Sequence, residues 1–360
     1  MRVLLHILSL FICIASFSQT PLYEYRELSK SLNLPDNLSK ERTLVVVQTP
    51  DKQGKFRRAG NWKSLSESAH RAFVTMGIDA ILYMNHYDLV VSQKSRLAYT
   101  KLFTNRNIKN IIFLTQKINS YELVIVPFNQ SESIIGNKQE AFYLEESQLY
   151  DLLLKTGKEI RRADQEVFNF LIPEKPSFIS GLSIIEKTQL KNYPGILRRS
   201  TLAVERFSEV AIPADASEDL KNKLGERNKS IQSQNEELEI IMREYPYDYV
   251  LIDQMSDDDL KRKRYQFVLR NISGQAKTLR EMLDYKVDPS ETDFVSVIPI
   301  MPDQTRAKPT PKDALVHKFY IKQNISKNVH VGVWDADETW QAALKNMIGN
   351  LIQEHQVDRR

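Results

Sequence analysis

Cysteine is almost absent: of 360 residues only Cys13 is one, and it sits inside an apolar leader. That count excludes disulfides, thiolate nucleophiles and cysteine-ligated zinc or iron–sulfur centres from the rest of the chain. It also suits a bacterial periplasm better than a eukaryotic ectodomain, where disulfides are usual. Histidine is scarce too. His70, His86, His317, His330 and His355 show neither an i, i+4 pair nor the short ligand spacing with a carboxylate that a metal site displays. No metal and no cofactor is therefore expected. The chain has no G-x-S-x-G elbow, S-x-x-K set, G-x-x-x-x-G-K-[ST] loop or G-x-G-x-x-G fingerprint, so the common hydrolase, β-lactam, nucleotide and dinucleotide readings lack their defining residues. Charge of one sign is missing as well. Fifty basic and 46 acidic side chains leave a net +4, dispersed rather than striped, which argues against a nucleic-acid partner. Beyond the leader no apolar run approaches the ~20 residues that cross a bilayer.

The leader is the clearest functional text present. Arg2 supplies a positive start, Val3 to Phe17 an apolar stretch, and Ser16-Phe17-Ser18 the small residues before a cut at Gln19. Residues 1–18 are predicted to be a signal peptide and the mature chain to be periplasmic or secreted, with no membrane span once the leader is removed. Ile12 stands where a lipoprotein site needs a small residue, so Cys13 is not read as a lipid anchor.

What organises the rest is a repetition. TLVVV at 43–47 returns as TLAVE at 201–205, and each is followed by a helix-forming run and a second strand, IDAILYM at 78–84 and YDYVLID at 247–253. Asp79 and Asp248 take the same place. NIIFLTQ (110–116) is matched with FVSVIPI (294–300), YELVIVPF (121–128) with HKFYIKQ (317–323), and a closing helix at 145–160 with one at 337–352. The fold class expected is α/β (or α+β): two tandem copies of a β-α-β-α-β-β-β-α unit with mixed, partly parallel sheets. Residues 19–40 read as a lead-in, 41–162 as the first copy, 163–200 as a proline-containing connector, 201–355 as the second copy and 356–360 as a tail.

In chain order, Thr43 to Gln48 is a β-branched strand of the kind covered on both faces. Ser64 or Ser66 is the expected cap of the next helix, and Gly77 its stop. Leu89 to Phe103 reads as one helix, and Lys117 to Ser120 is short enough for a hairpin. In the second copy a helix is expected over Gln234 to Tyr245, and Pro302 to Lys312 reads as a surface insertion. Ser256 followed by Asp257, Asp258 and Asp259 reads as a capped first turn. Asp335, Asp337 and Glu338 are given the same reading before the last helix, with Trp334 and Trp340 as packing residues.

One stretch carries a candidate site. The loop leaving the first strand, DKQGKFRRAGNW, brings Lys52, Lys55, Arg57 and Arg58 ahead of a helix start, where the guanidinium groups could hold a phosphate, sulfate or carboxylate. The second copy lacks the arginine pair at Ser208 to Asn222. Taken together, the sequence favours an exported, non-enzymatic binding or envelope-assembly protein whose partner is an envelope protein or a small anionic ligand. The alternative is a periplasmic hydrolase or transferase acting on an anionic substrate at that loop or in the cleft between the copies. Oligomeric state and catalytic residues are not legible.

Overall fold

The computed structural model describes residues 27–50, 60–169, 172–179, 189–301 and 304–356. The leader and the loop residues Lys52, Lys55, Arg57 and Arg58 lie outside these. The chain mixes helices with parallel and antiparallel strands in two main sheets.

The lead-in contributes an edge strand, β1 (Ser29–Ser31), and buries Leu38 fully. Next come β2 (Arg42–Gln48), α1 (Trp62–Thr75) and β3 (Ala80–Asn85), a β–α–β unit with a parallel pair. Asn61 caps α1, accepting from the Ser64 amide at 3.1 Å, so the cap falls earlier than either serine. Gly77, with φ +78°, ends the helix in the left-handed region that glycine adopts without strain. The run expected as a single helix is split into α2 (His86–Val90) and α3 (Gln93–Asn105), because Ser92 turns the chain and caps the second piece. A hairpin of β4 (Ile108–Gln116) and β5 (Tyr121–Pro127) follows, then β6 (Glu140–Glu146) and α4 (Leu149–Arg162).

The connector is not a bare tether. Its β7 (Phe178–Ile179) joins the outer edge of β3, and its β8 (Gln189–Leu190) joins the second sheet. That sheet begins with β9 (Leu202–Glu205). Helix α5 (Glu218–Met242) runs 25 residues, far longer than the helix expected at 234–245, because Ser217 caps it and Leu220, Leu224, Ile231 and Leu238 keep one sparse buried stripe. Then come β10 (Tyr249–Ile252), α6 (Asp257–Arg262) and β11 (Phe267–Gln275). Ser256 caps α6 as expected, accepting from the Asp259 amide at 3.1 Å. Beyond β11 lie α7 (Ala276–Met282), β12 (Asp293–Met301), β13 (Gln304–Pro311), β14 (Leu315–Gln323), β15 (Val329–His330) and α8 (Trp340–His355).

The order β3-β2-β4-β5-β6 in the first sheet matches β10-β9-β11-β14-β15 in the second, with two parallel pairs followed by two antiparallel pairs in each. The Thr43 amide donates to the Asp79 carbonyl at 2.8 Å, and the Leu202 amide to the Asp248 carbonyl at 2.9 Å. One sequence pairing changes. The strand that occupies the place of 110–116 is β11, whereas 294–300 belongs to β12, which pairs with β13 as a separate two-stranded ribbon. The two sheets touch through α2. Val91, just after that helix, is buried with Ile272, Leu279 and Val316, and its carbonyl accepts from the Ser273 amide at 3.3 Å. Thr278 Oγ1 donates to Asp88 Oδ1 at 3.2 Å across the same contact.

Candidate functional site

The four basic side chains predicted to hold an anion lie outside the described residues. The ends of their loop are described and are drawn together. The Gly60 amide donates to the Pro50 carbonyl at 3.0 Å, and Thr49 Oγ1 donates to the Gly60 carbonyl at 3.2 Å. At the opposite end of β2, Arg42, Asp79 and Arg106 line a shallow hollow of about 490 Å³. Burial raises the Asp79 carboxyl above its ordinary range against the pull of Arg42, while Arg42 Nη1 donates to the Arg106 carbonyl at 3.1 Å. Among the described residues no group of three or more His, Cys, Asp or Glu side chains is placed to hold a metal ion.

The β12–β13 ribbon presents apolar side chains to solvent. Alternation along a strand sends successive side chains to opposite faces, and here the two faces differ sharply. Inward, Phe294, Ser296 and Thr310 are at most 1% exposed. Ser296 Oγ donates to the Ala336 carbonyl at 2.8 Å, and Arg280 stacks its guanidinium 4.3 Å from the Phe294 ring centre. The Val297 amide donates to the Trp334 carbonyl at 2.8 Å, and Asn350 Nδ2 donates to the Val297 carbonyl at 3.2 Å. Outward, Val295 opposite Pro309 and Val297 opposite Ala307 make a short apolar row in which Val295 keeps 55% of its surface, and Ile300, half exposed, lies beyond it at the register shift between Pro299 and Met301. The ribbon is thus fixed on one side and open on the other.

Beneath it lies a buried charge network that anchors α8. Lys318 Nζ, on β14, is 2.6 Å from Asp335 Oδ1 with both side chains fully buried, an ion-pair contact rather than a well-directed hydrogen bond. Lys318 Nζ also donates to the Phe319 carbonyl at 3.0 Å. Asp335 Oδ2 accepts from Asn350 Nδ2 at 3.1 Å and from the Tyr193 hydroxyl at 3.4 Å. Burial raises the Asp335 carboxyl and lowers the Lys318 ammonium, and each opposes that shift in the other. Asp337 pairs with Lys308 of the ribbon at 2.8 Å. The reading of Asp335 and Asp337 as solvated first-turn acids is therefore corrected: Thr339 caps α8, and both aspartates are buried partners of lysines. Trp334 and Trp340 pack in the cores as expected, at 5% and 6% exposure.

Tyr193 is positioned by Gly332, whose φ is +61° and whose added Cβ would lie 2.3 Å from the tyrosine hydroxyl oxygen. Gly332→Ala should destabilise the fold by about 1 to 3 kcal/mol, from left-handed strain and displacement of Tyr193. A fall in the urea midpoint measures it; an unchanged midpoint would show that the ring has room to move.

Comparison with models of protein families, with curated proteins and with solved structures found no match to the chain.

Proposed function

We propose that the chain is an exported, non-enzymatic binding or envelope-assembly protein, in which two α/β units form a scaffold and the β12–β13 ribbon meets a protein partner. The observation that carries this reading is the ribbon's two-faced construction. A surface valine more than half exposed, beside Pro309 and followed by Val297 opposite Ala307, forms a short apolar row on backbone that hydrogen bonds already hold in place. Such rows are where proteins meet other proteins, and a pre-fixed backbone lowers the ordering cost of binding. The matching strand order of the two sheets supports descent from one duplicated unit, with the ribbon as an addition in the second. Export rests on the Arg2 and Val3 to Phe17 pattern, and mass spectrometry of the mature protein should find Gln19 at its N-terminus.

A photo-crosslinking residue at position 295 in the producing cell tests the ribbon. One discrete higher-mass protein adduct is expected, absent when the same residue is placed at Glu236 on the exposed side of α5. Ala307→Glu, on the outward row opposite Val297, should reduce the adduct at least about tenfold, since burying an unpaired charge costs more than about 1.4 kcal/mol. No adduct from position 295, or equal adducts from 295 and 236, would remove the ribbon as the contact surface.

A further inference from the structure

The same position in the two sheets is treated in two ways. In the first, the outer edge of β3 is occupied: Phe178 pairs with Tyr83 and Ile179 with Met84 in parallel, and the Tyr83 amide donates to the Ser177 carbonyl at 2.9 Å. In the second, β10 holds the place of β3, and among the described residues no strand pairs with its outer edge. The Asp248 and Ile252 carbonyls accept from the amides of Leu202, in β9, and Arg206, just after it, so Tyr249 and Leu251 turn their amides and carbonyls away from the sheet. Neither makes a backbone hydrogen bond on that side within the described residues. Their side chains are half-buried against the core, so the strand is fixed while its edge is bare. A bare, fixed edge is a template for one more strand.

Charge says which strand. Asp248 and Asp253 bracket the edge, and the Asp253 side chain is 91% exposed, with Arg206 3.5 Å away on the β9 side. A second copy of this chain is a poor occupant. Outward-facing residues must oppose outward-facing ones, so antiparallel pairing of two β10 edges centres on Leu251 and sets Asp253 opposite Tyr249 and Asp248 opposite Gln254; both copies then bring their two acids to one seam with no cation opposite any of them. We infer that the β10 edge accepts an extended segment of another protein, apolar in its middle and carrying lysine or arginine at each end, which extends the second sheet as Phe178 and Ile179 extend the first.

The test uses the full mature protein and two capped synthetic peptides, Lys-Val-Thr-Val-Thr-Lys and its glutamate-flanked counterpart. The lysine peptide should bind saturably by fluorescence anisotropy and slow hydrogen exchange at the Tyr249 and Leu251 amides. Asp248→Lys with Asp253→Lys should weaken that peptide by at least about tenfold and strengthen the glutamate peptide, because both end contacts change sign. Both positions are exposed, so the fold should tolerate the change. The inference is overturned by no saturable binding of either peptide, by binding indifferent to the charge swap, or by a concentration-dependent dimer that protects the same amides. None of these outcomes touches the ribbon, whose adduct from position 295 is read on a different sheet.

Discussion

Lys318→Met should remove about 3 to 5 kcal/mol of stability in urea unfolding at pH 7, the largest loss expected from any single change described above. The methionine fills the aliphatic volume, but Asp335 is left fully buried without its cation, and an uncompensated buried charge costs that much. Asp335 cannot relax to water, since Asn350 and Tyr193 hold its other oxygen on α8 and in the connector. Adding Asp335→Asn to Lys318→Met should recover part of the loss, because no unpaired charge then remains. If the single change costs under about 1 kcal/mol, or the double change costs as much as the sum of the two, the pair is not coupled as described.

Stability should also fall as pH drops from about 6.5 towards 4, and His86 is one cause. The ring is 1% exposed, neither nitrogen has a hydrogen-bond partner among the described residues, and burial pushes its pKa down to about 4. The unfolded chain takes up that proton near 6.5 and the folded chain only near 4. Between those values the unfolded state binds more protons, so stability is lost as pH falls through the window and the loss levels off below it. The size is about 3 kcal/mol, from the gap between those two values. His86→Leu should flatten the profile. His317, half-buried on β14, is pushed down to about 4 by burial against the pull of Asp337 and slopes the same way. The comparison is therefore repeated in a His317→Gln background. An equal slope with and without His86 in that background would assign the loss elsewhere.

Local pattern carried much of this architecture. Thr43 to Gln48 is a strand because a β-branched run fits a doubly covered position, Gly77 stops α1 because its backbone turns left-handed, and Lys117 to Ser120 is short enough to force antiparallel pairing. What failed depended on distant partners. β11 contains Arg270, Asn271, Ser273 and Gly274 and looks less like a sheet strand than the apolar stretch at 294–300. Arg270 is nonetheless accommodated, by Glu205 at 3.0 Å and Asp257 at 3.1 Å, from β9 and α6. No local reading contains those contacts. Asp335 was misread for the same reason: a carboxylate ahead of a helix looks like a cap until Lys318, on another strand, is seen against it. The first part of α5, ahead of the helix expected from Gln234, escaped because Leu220, Leu224 and Ile231 are its only buried apolar residues and give little periodic signal. Of the candidate surfaces, the insertion at Pro302 to Lys312 was visible as an insertion but not as half of a ribbon, and the bare edge of β10 is a property of sheet order, which no single stretch of sequence contains.

Val91 gives the assembly a direction in time. It belongs to the first half of the chain yet fills the second half's core, beside Ile272 and Leu279, with Gly274 leaving the room it needs: a Cβ there would stand 3.1 Å from the valine methyl. The second sheet's core is therefore complete only with Val91 in place. Synthesis proceeds from the N-terminus, so α2 reaches solution before β11 and α7 exist. The late-made half matures against a surface the early-made half has already presented.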